Sequence, residues 1–362
     1  MNRVTAYLGR IVLGACLMTG GVASGGIGAA KAADELAHWP APAAAALKTL
    51  VTANANKGAY AVFDMDNTLY RYDLEESLLP FLEMKGVLTR DKIDPSLKLI
   101  PFKDLNGHKE SLNSYYYRLC EIDDQVCYPW VAQVFAGFTL RELKGYVDEL
   151  MAYGKPIPSD YYEGDSVKAI EINAPKPYTG QLELVNLMHK NGIEVYVMTA
   201  ASEELVRMVA ADPKYGYNIK PENIIGVTML LKDRKTGALT TARKLIEQKK
   251  YDWNQTMDME LGTYLWAPLT WFSGKYAAIL TYIDPWKKPI LVAGDTPTSD
   301  GYMLLHGTDV EHGGVRLWVD RKDKYRKQIQ SMWEDAAARQ KALGQPVTAD
   351  QNWVVVKAQE IQ

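Results

Sequence analysis

Two aspartates one residue apart follow a short apolar run near the beginning of the chain. The run Tyr60–Phe63 is typical of a buried strand; Asp64 follows it directly, and Asp66 and Thr68 lie two and four positions further on. Such a pair suits phosphoryl transfer, because one carboxylate can attack and bind a cation while the other carries protons. This segment alone leaves an alternative open, namely an Asx-turn or a helix N-cap at a strand end.

A second group of acids lies near the end of another apolar run. Residues 291–294 are typical of a strand that ends in glycine, a residue that lets the backbone approach a ligand closely. Asp295 follows this strand, and Asp300 lies five positions further on. Asp295 could complete an oxygen-only metal shell with Asp64, while Asp300 could hold the loop or a metal-bound water.

Two further candidates lie between these groups. Thr199 follows residues 194–198, a second predicted strand, and could donate a hydrogen bond to a phosphoryl oxygen. Lys275 could place positive charge where negative charge develops on the phosphoryl oxygens. Taken alone, Thr199 would be a helix cap and Lys275 a solvated helix residue, and Lys244 and Lys249 are rivals of Lys275.

Strand-like and helix-like segments alternate along the chain, which predicts an α/β fold with a Rossmann-like parallel sheet and helices on both faces. Ligands bind at the carboxyl ends of the strands in such sheets, so Asp64, Thr199 and Asp295 can converge there. The predicted strands are residues 59–64, 194–198, 223–231, 289–293, 315–319 and 353–356. The predicted helices include residues 181–190, 202–210 and 323–343.

A long segment interrupts this alternation after the first strand. Residues 80–175 contain helical apolar spacing at 109–120 and 139–153 and little strand signal. The economical interpretation is a mostly helical cap inserted into an α/β core that comprises residues 33–79 and 176–362.

The composition indicates a globular protein and excludes several functions. The chain has 362 residues, of which 47% are hydrophobic and 23% charged, enough for a sizeable core. The net charge of −3 shows no excess of basic residues of the kind that binds nucleic acid. The five histidines show no ligand spacing, which argues against a zinc site.

The first 32 residues differ in kind from the rest. Arg3 and Arg10 precede a run of apolar and small residues, and Ala30-Lys31-Ala32 offers a small-x-small cleavage site. Residues 1–32 therefore predict a secretory signal peptide and export to the periplasm or the medium, with no stable membrane span. A lipoprotein signal at Cys16 is the weaker alternative, because the apolar segment before it is short.

Cleavage after residue 32 would leave two cysteines, Cys120 and Cys127. An even pair in an exported protein suggests a disulfide. Two buried thiols are the alternative, and the sequence does not decide between them.

The acids, the threonine and the lysine, in this order, resemble the haloacid dehalogenase superfamily. The resemblance runs from the first core strand to the last, so it is far more specific than any one motif. The matching residues are Asp64-x-Asp66-x-Thr68, then Thr199, then Lys275, then Gly294-Asp295 with Asp300.

The resemblance implies a role for each matching residue. Asp64 would be the nucleophile, Asp66 the general acid and then the base, and Thr199 and Lys275 would hold the phosphoryl group. Mg²⁺ prefers oxygen ligands and screens the repulsion between a carboxylate and a phosphate dianion, so the chemistry agrees. The implied ligands of Mg²⁺, or of another divalent cation, are Asp64, Asp66, Asp295 and Asp300.

The residues after the first motif bear on the substrate. Glu75 and Glu76 lie early in a predicted helix, where acids are favourable in any case. The functional interpretation places them, with Thr68, on the substrate. Aromatic faces and a carboxylate together bind quaternary ammonium groups, and the candidate aromatics are Tyr115, Tyr116, Tyr117, Trp266, Trp271 and Phe272.

Within the superfamily, residues 64–68, 73–80 and 294–300 are similar to exported bacterial phosphatases that act on phosphorylcholine. The resemblance implies a small phosphomonoester with a quaternary ammonium group as substrate, and Glu75 and Glu76 as the choline-binding pair. Three alternatives remain. They are the same chemistry on phosphoserine or phosphoethanolamine, a choline-binding protein without catalysis, and transfer to an acceptor other than water.

Overall fold

The computed structural model describes residues 35–362, and the predicted signal peptide at residues 1–32 lies outside the described residues. Between residues 35 and 362, no helix combines the length and the apolar character needed to cross a membrane.

The strands are β1 (Tyr60–Phe63), β2 (Tyr70–Arg71), β3 (Ile157–Glu163), β4 (Ser166–Ile172), β5 (Lys176–Pro177), β6 (Glu194–Ser202), β7 (Ile224–Lys232), β8 (Leu239–Thr240), β9 (Glu260–Trp266), β10 (Leu291–Gly294), β11 (Val315–Asp320) and β12 (Trp353–Lys357). The helices are α1 (Ala41–Asn54), α2 (Leu74–Met84), α3 (Leu112–Ile122), α4 (Asp124–Gln133), α5 (Leu140–Tyr153), α6 (Thr179–Lys190), α7 (Glu203–Ala210), α8 (Ala242–Glu247), α9 (Trp253–Thr256), α10 (Ser273–Tyr282), α11 (Pro297–Tyr302) and α12 (Asp323–Ala342).

A central sheet has the strand order β12-β11-β10-β1-β6-β7-β8, with β9 also paired to β7. The strands from β12 to β7 run parallel, and β8 and β9 are antiparallel to β7. The predicted α/β class with a parallel sheet is therefore confirmed. Since β1 lies between β10 and β6, the residue that follows β1 is flanked by the carboxyl ends of both neighbours.

The central strand is buried on both faces, as expected for a parallel sheet covered by helices. Ala61 and Phe63 pack into one apolar cluster, and Tyr60 and Val62 pack into another on the opposite face. The first cluster includes side chains of α1, α6 and α7, and the second includes side chains of α10 and α12. Side chains alternate between the two faces of β1, so Ala61 and Phe63 pack with the helices of one face and Tyr60 and Val62 with those of the other.

The chain between β2 and β5, called the insertion below, leaves the core and returns to it at a two-stranded antiparallel ribbon. Tyr70 pairs with Pro177 and Arg71 pairs with Lys176 across this ribbon. The insertion contains α2 to α5 and the hairpin of β3 and β4. The predicted boundary between residues 79 and 80 falls inside α2, and the division into core and cap remains a prediction.

The expectation of little strand structure in this region is wrong for the hairpin of β3 and β4. The two strands pair along seven residues each, from Ile157 opposite Ile172 to Glu163 opposite Ser166. Most of their side chains are half-buried or exposed, so no alternation of apolar residues marks them. Gly164 supplies the positive φ, 60°, that the tight turn requires.

A disulfide joins Cys120 of α3 to Cys127 of α4. The predicted pairing is thus confirmed, and it lies wholly within the insertion. It connects two helices that also pack against each other.

Gly226 of β7 lets the carboxyl end of β6 approach closely. A Cβ at this position would lie 2.7 Å from the carbonyl oxygen of Ala201 and 2.8 Å from Cγ2 of Thr199. Both distances are shorter than real Cβ atoms tolerate, so an alanine would push the segment that carries Thr199.

We expect Gly226→Ala to lower the free energy of unfolding by about 1–3 kcal/mol, because it overpacks a buried contact. Gly145→Ala is the matched control: a Cβ at Gly145, inside α5, would meet no atom within 4 Å. That change should be neutral or stabilising by roughly 0.5–1 kcal/mol. Urea unfolding measures both, and equal effects of the two substitutions would contradict the close approach.

Candidate active site

Three buried carboxylates meet at the carboxyl ends of β1 and β10. Asp64, Asp295 and Asp300 each offer an oxygen within 4.8 Å of the others. Asp64 follows β1, Asp295 follows β10, and Asp300 lies in α11. Gly294 makes the approach possible, because a Cβ there would lie 2.6 Å from the Cβ of Asp300. The structure thus brings together three of the four predicted metal ligands.

Lys275 of α10 bridges two of these acids. Its Nζ donates to Asp64 Oδ1 at 2.6 Å and to Asp300 Oδ1 at 2.7 Å, and the side chain is fully buried. Burial alone would lower the pKa of Lys275, but the carboxylates of Asp300 and Asp64 outweigh it and raise the pKa. The rival lysines, Lys244 and Lys249, are both exposed.

The remaining oxygens of the cluster are held by the surrounding loops. Asp300 Oδ2 accepts the backbone N–H groups of Asp295 and Thr296, each at 2.9 Å, so Asp300 fixes the loop after β10. The hydroxyl of Thr68 lies 3.1 Å from Asp64 Oδ2 and 3.3 Å from Asp295 Oδ1. Thr68 therefore connects the two strand ends and contacts the acids of the cluster.

Burial is the main electrostatic influence on the nucleophile candidate. It raises the pKa of Asp64 well above its usual range, and the nearby carboxylate of Asp300 adds to the effect, while Lys275 opposes it. Burial raises the pKa of Asp295 as well, and Arg321 opposes that shift. Positive charge close to the cluster is therefore required to keep both carboxylates ionised.

Arg321 is a site residue that the sequence did not reveal. It follows β11, and its Nε donates to Asp295 Oδ2 while Nη2 donates to the hydroxyl of Thr296 at 3.0 Å. The signal was available: β11 is the next parallel strand after β10, and residues after its carboxyl end lie at the same edge of the sheet.

Asp66 lies apart from the carboxylate cluster. Its Oδ1 accepts the hydroxyl of Tyr70 at 2.7 Å and the backbone N–H of Leu74 at 2.8 Å. The hydroxyl of Thr199 lies 3.4 Å from Oδ2. Burial raises the pKa of Asp66 to about 6, although the N–H of Leu74 and then the hydroxyl of Tyr70 lower it. A carboxyl group with this pKa can both donate and accept a proton near neutral pH.

Glu75 and Glu76 line the same cavity as the nucleophile candidate. Glu75 Oε1 accepts the backbone N–H of Ser202 at 2.8 Å, and Glu76 Oε1 accepts the hydroxyl of Tyr116 at 3.0 Å. Burial raises the pKa of both glutamates. The cavity has a volume of about 190 Å³, and its charged and aromatic lining is Asp64, Asp66, Asp73, Glu75, Glu76, Tyr116, Tyr128, Asp295, Arg321, Lys322 and Tyr325.

Of the aromatic residues predicted to bind the substrate, only some line the cavity. Tyr116 lines the cavity, and so does Tyr128, which the sequence did not single out. The hydroxyl of Tyr115 instead bonds to the backbone of Ile100, so Tyr115 belongs to the core of the insertion. Phe272 stacks on Tyr128 with ring centroids 6.4 Å apart. The predicted aromatics outside the cavity lining are Tyr115, Tyr117, Trp266, Trp271 and Phe272.

The carboxylate cluster fits a divalent cation. Its donors are oxygen atoms alone, the set that Mg²⁺ prefers, and all three acids are buried. Lys275 and Arg321 supply two positive charges against three carboxylates, so the ionised cluster keeps an excess of negative charge. The carboxylate of Asp66, the fourth predicted ligand, is not part of this cluster.

Comparison of the fold with solved structures gives distant matches. No protein-family profile matches the chain. A conserved protein of unknown function from Anaerococcus prevotii shares the fold, with a TM-score of 0.55 and 18% identity over 83% of this chain and 90% of that one. A HAD family hydrolase from Salmonella enterica serovar Typhi superposes with a TM-score of 0.41 and 10% identity over 78% of this chain and 74% of that one, too low to support an argument.

The sequence comparison is far more specific. The chain is 70% identical over 330 residues to the phosphorylcholine phosphatase of Pseudomonas aeruginosa strain PAO1. The match covers 91% of this chain and 94% of that protein, so it includes both the sheet and the insertion. The chain belongs to the phosphorylcholine phosphatase family.

Proposed function

We propose that this protein hydrolyses phosphorylcholine to choline and phosphate through an aspartyl-phosphate on Asp64. The observation that carries the proposal is a single cavity lined by two chemically different groups of side chains. The lining includes Asp64, Asp295 and Arg321 on the one hand, and Glu75 and Glu76 with Tyr116 and Tyr128 on the other. We assign the first group to the phosphoryl end of the substrate and the second group to its leaving-group end. The 70% identity to a phosphorylcholine phosphatase supports the same substrate.

The phosphoryl end supplies the nucleophile and its proton partner. An oxygen of Asp64 attacks phosphorus, and the bond from phosphorus to the choline oxygen breaks as Asp66 gives that oxygen its proton. Asp66 then takes a proton from water, which attacks the phosphorus and frees Asp64 and phosphate. Lys275 and Thr199 stabilise the negative charge of the phosphoryl oxygens. A divalent cation held by Asp64, Asp295 and Asp300 would neutralise further charge there.

The leaving-group end suits a cation that has no N–H groups. A quaternary ammonium cannot donate a hydrogen bond, so it is held by negative charge and by aromatic faces. Glu75 and Glu76 supply the carboxylates, and Tyr116 and Tyr128 supply rings in the same cavity. Burial disfavours the ionised glutamates when the cavity is empty, so a bound cation also stabilises their charge.

We further propose that the divalent cation is Mg²⁺ and that the protein is exported. The oxygen-only donor set of the cluster supports Mg²⁺. The apolar first 32 residues with their cleavage site support export, and so does the disulfide of Cys120 and Cys127, a bond that forms in oxidising compartments.

A substrate panel tests the leaving-group end. With Mg²⁺, purified protein should release phosphate from phosphorylcholine in preference to phosphoethanolamine and phosphoserine. Glu75→Gln and Glu76→Gln should each raise KM for phosphorylcholine about tenfold, the loss of one favourable charge contact, and barely change p-nitrophenyl phosphate hydrolysis. Glu83→Gln, on the same helix but outside the cavity lining, is the matched control. Equal losses on both substrates would refute choline recognition.

Two substitutions separate the nucleophile from its proton partner. Asp64→Asn should abolish turnover with the fold intact. Asp66→Asn should release about one equivalent of p-nitrophenolate and then stop, because hydrolysis of the aspartyl-phosphate requires a base. Rapid-mixing absorbance and mass spectrometry of the trapped enzyme measure the burst and its site. A burst from the Asp64→Asn variant would exclude Asp64 as the nucleophile.

Expression of the full chain in a bacterium tests export. The active protein should fractionate with the periplasm or the medium, and N-terminal sequencing should begin after Ala32. Cys16→Ser should leave the fractionation unchanged, since cleavage after residue 32 removes this cysteine. A membrane-bound product carrying lipid on Cys16 would establish a lipoprotein instead.

A further inference from the structure

The two oxygens of the Asp295 carboxylate have different environments. Oδ2 accepts Nε of Arg321 and, at 3.0 Å, the hydroxyl of Thr296. Oδ1 has one neighbour among the described hydrogen bonds, the hydroxyl of Thr68 at 3.3 Å, which also lies 3.1 Å from Asp64 Oδ2. Oδ1 is therefore the oxygen on the side of the nucleophile.

Arg321 closes a ring of hydrogen bonds around Oδ2. Its Nη2 donates to the hydroxyl of Thr296 at 3.0 Å, and that hydroxyl donates to Asp295 Oδ2, which also accepts Nε. A guanidinium presents these two donors in a rigid planar fork, which an ammonium group cannot reproduce. The ring therefore restrains rotation of the Asp295 carboxylate.

Burial makes this restraint effective. The side chain of Asp295 is 2% exposed and that of Arg321 is 19% exposed, so water competes little for their contact. Arg321 also lines the cavity, as do Asp64, Asp295 and Glu76. Its two fork donors are both engaged by the protein, so the fork is directed at Asp295 and Thr296 rather than at the cavity.

We propose that Arg321 is a positioning residue for Asp295: it holds Oδ2 and thereby directs Oδ1 towards the divalent cation. The inference rests on the proposed function in one respect, that the carboxylate cluster binds such a cation. In this inference Arg321 does not compete for the cation site, because it contacts Oδ2 and not Oδ1. Partners that orient a metal ligand in this way are worth about 10–100-fold in metal affinity.

Mg²⁺ binding to the purified enzyme, measured by titration calorimetry without substrate, tests this inference. Arg321→Lys keeps the charge but loses the fork, and Arg321→Met loses both. Both should raise the Kd for Mg²⁺ by about tenfold or more. Thr296→Val, which removes the hydroxyl from the ring, should change the Kd in the same direction and provides a second route should the Arg321 variants fail to fold.

Lys322→Met is the matched control. Lys322 is the adjacent cation and lines the same cavity, but no hydrogen bond joins it to Asp295 among the described residues. Its loss should not weaken Mg²⁺ binding.

Three results would overturn the inference. Tighter Mg²⁺ binding by the Arg321→Met variant would mean that Arg321 competes with the cation. An unchanged Kd for Mg²⁺ in the Arg321→Lys variant would mean that Arg321 acts only through its charge. Unchanged binding in both Arg321 variants and in Thr296→Val would remove the role altogether. Because the readout is Mg²⁺ affinity, a failure of phosphorylcholine hydrolysis in the parent enzyme would be a separate result about the substrate.

Discussion

The mutual repulsion of three buried carboxylates is the constraint on which the rest of the structure depends. Asp64, Asp295 and Asp300 each place an oxygen within 4.8 Å of the others, and two unit charges about 5 Å apart interact by roughly 3 kcal/mol at an effective dielectric constant of about 20. Lys275 and Arg321 offset the repulsion, and each comes from a different part of the chain. The fold must therefore deliver two cations, as well as three acids, to one edge of the sheet.

The parallel sheet positions Asp64, Asp295 and Arg321 in the same way, because β1, β10 and β11 end side by side. Lys275 arrives differently, on α10. The turn before it is tight, since Phe272 has a φ of 52° and a Cβ at Gly274 would lie 1.7 Å from the carbonyl oxygen of Leu269. The insertion contributes Glu75, Glu76, Tyr116 and Tyr128 to the cavity lining. The sheet and α10 thus provide the carboxylate cluster and its cations, and the insertion provides the glutamates that line the same cavity.

The sequence predicted site residues that follow strand ends and belong to a recognisable motif, and it missed residues that belong to none. The six parallel strands were recognisable from short apolar runs, so the sequence alone predicted that Asp64 and Asp295 lie close together. Arg321 stands alone in a polar stretch, and Tyr128 carries no motif. The hairpin of β3 and β4 exposes most of its side chains and therefore lacks the periodicity of a buried strand. The separation of Asp66 from the cluster depends on hydrogen bonds to Tyr70 and Leu74 that spacing does not encode.

The ribbon of β2 and β5 has a consequence for how this architecture can diversify. Paired strands lie about 4.8 Å apart, so the chain returns from the insertion almost to the point at which it departed. The insertion can therefore become longer or shorter, or be replaced, without changing the order of strands in the sheet. Sequence changes in the insertion can therefore alter one part of the cavity lining, while the carboxylate cluster stays fixed at the strand ends of the sheet.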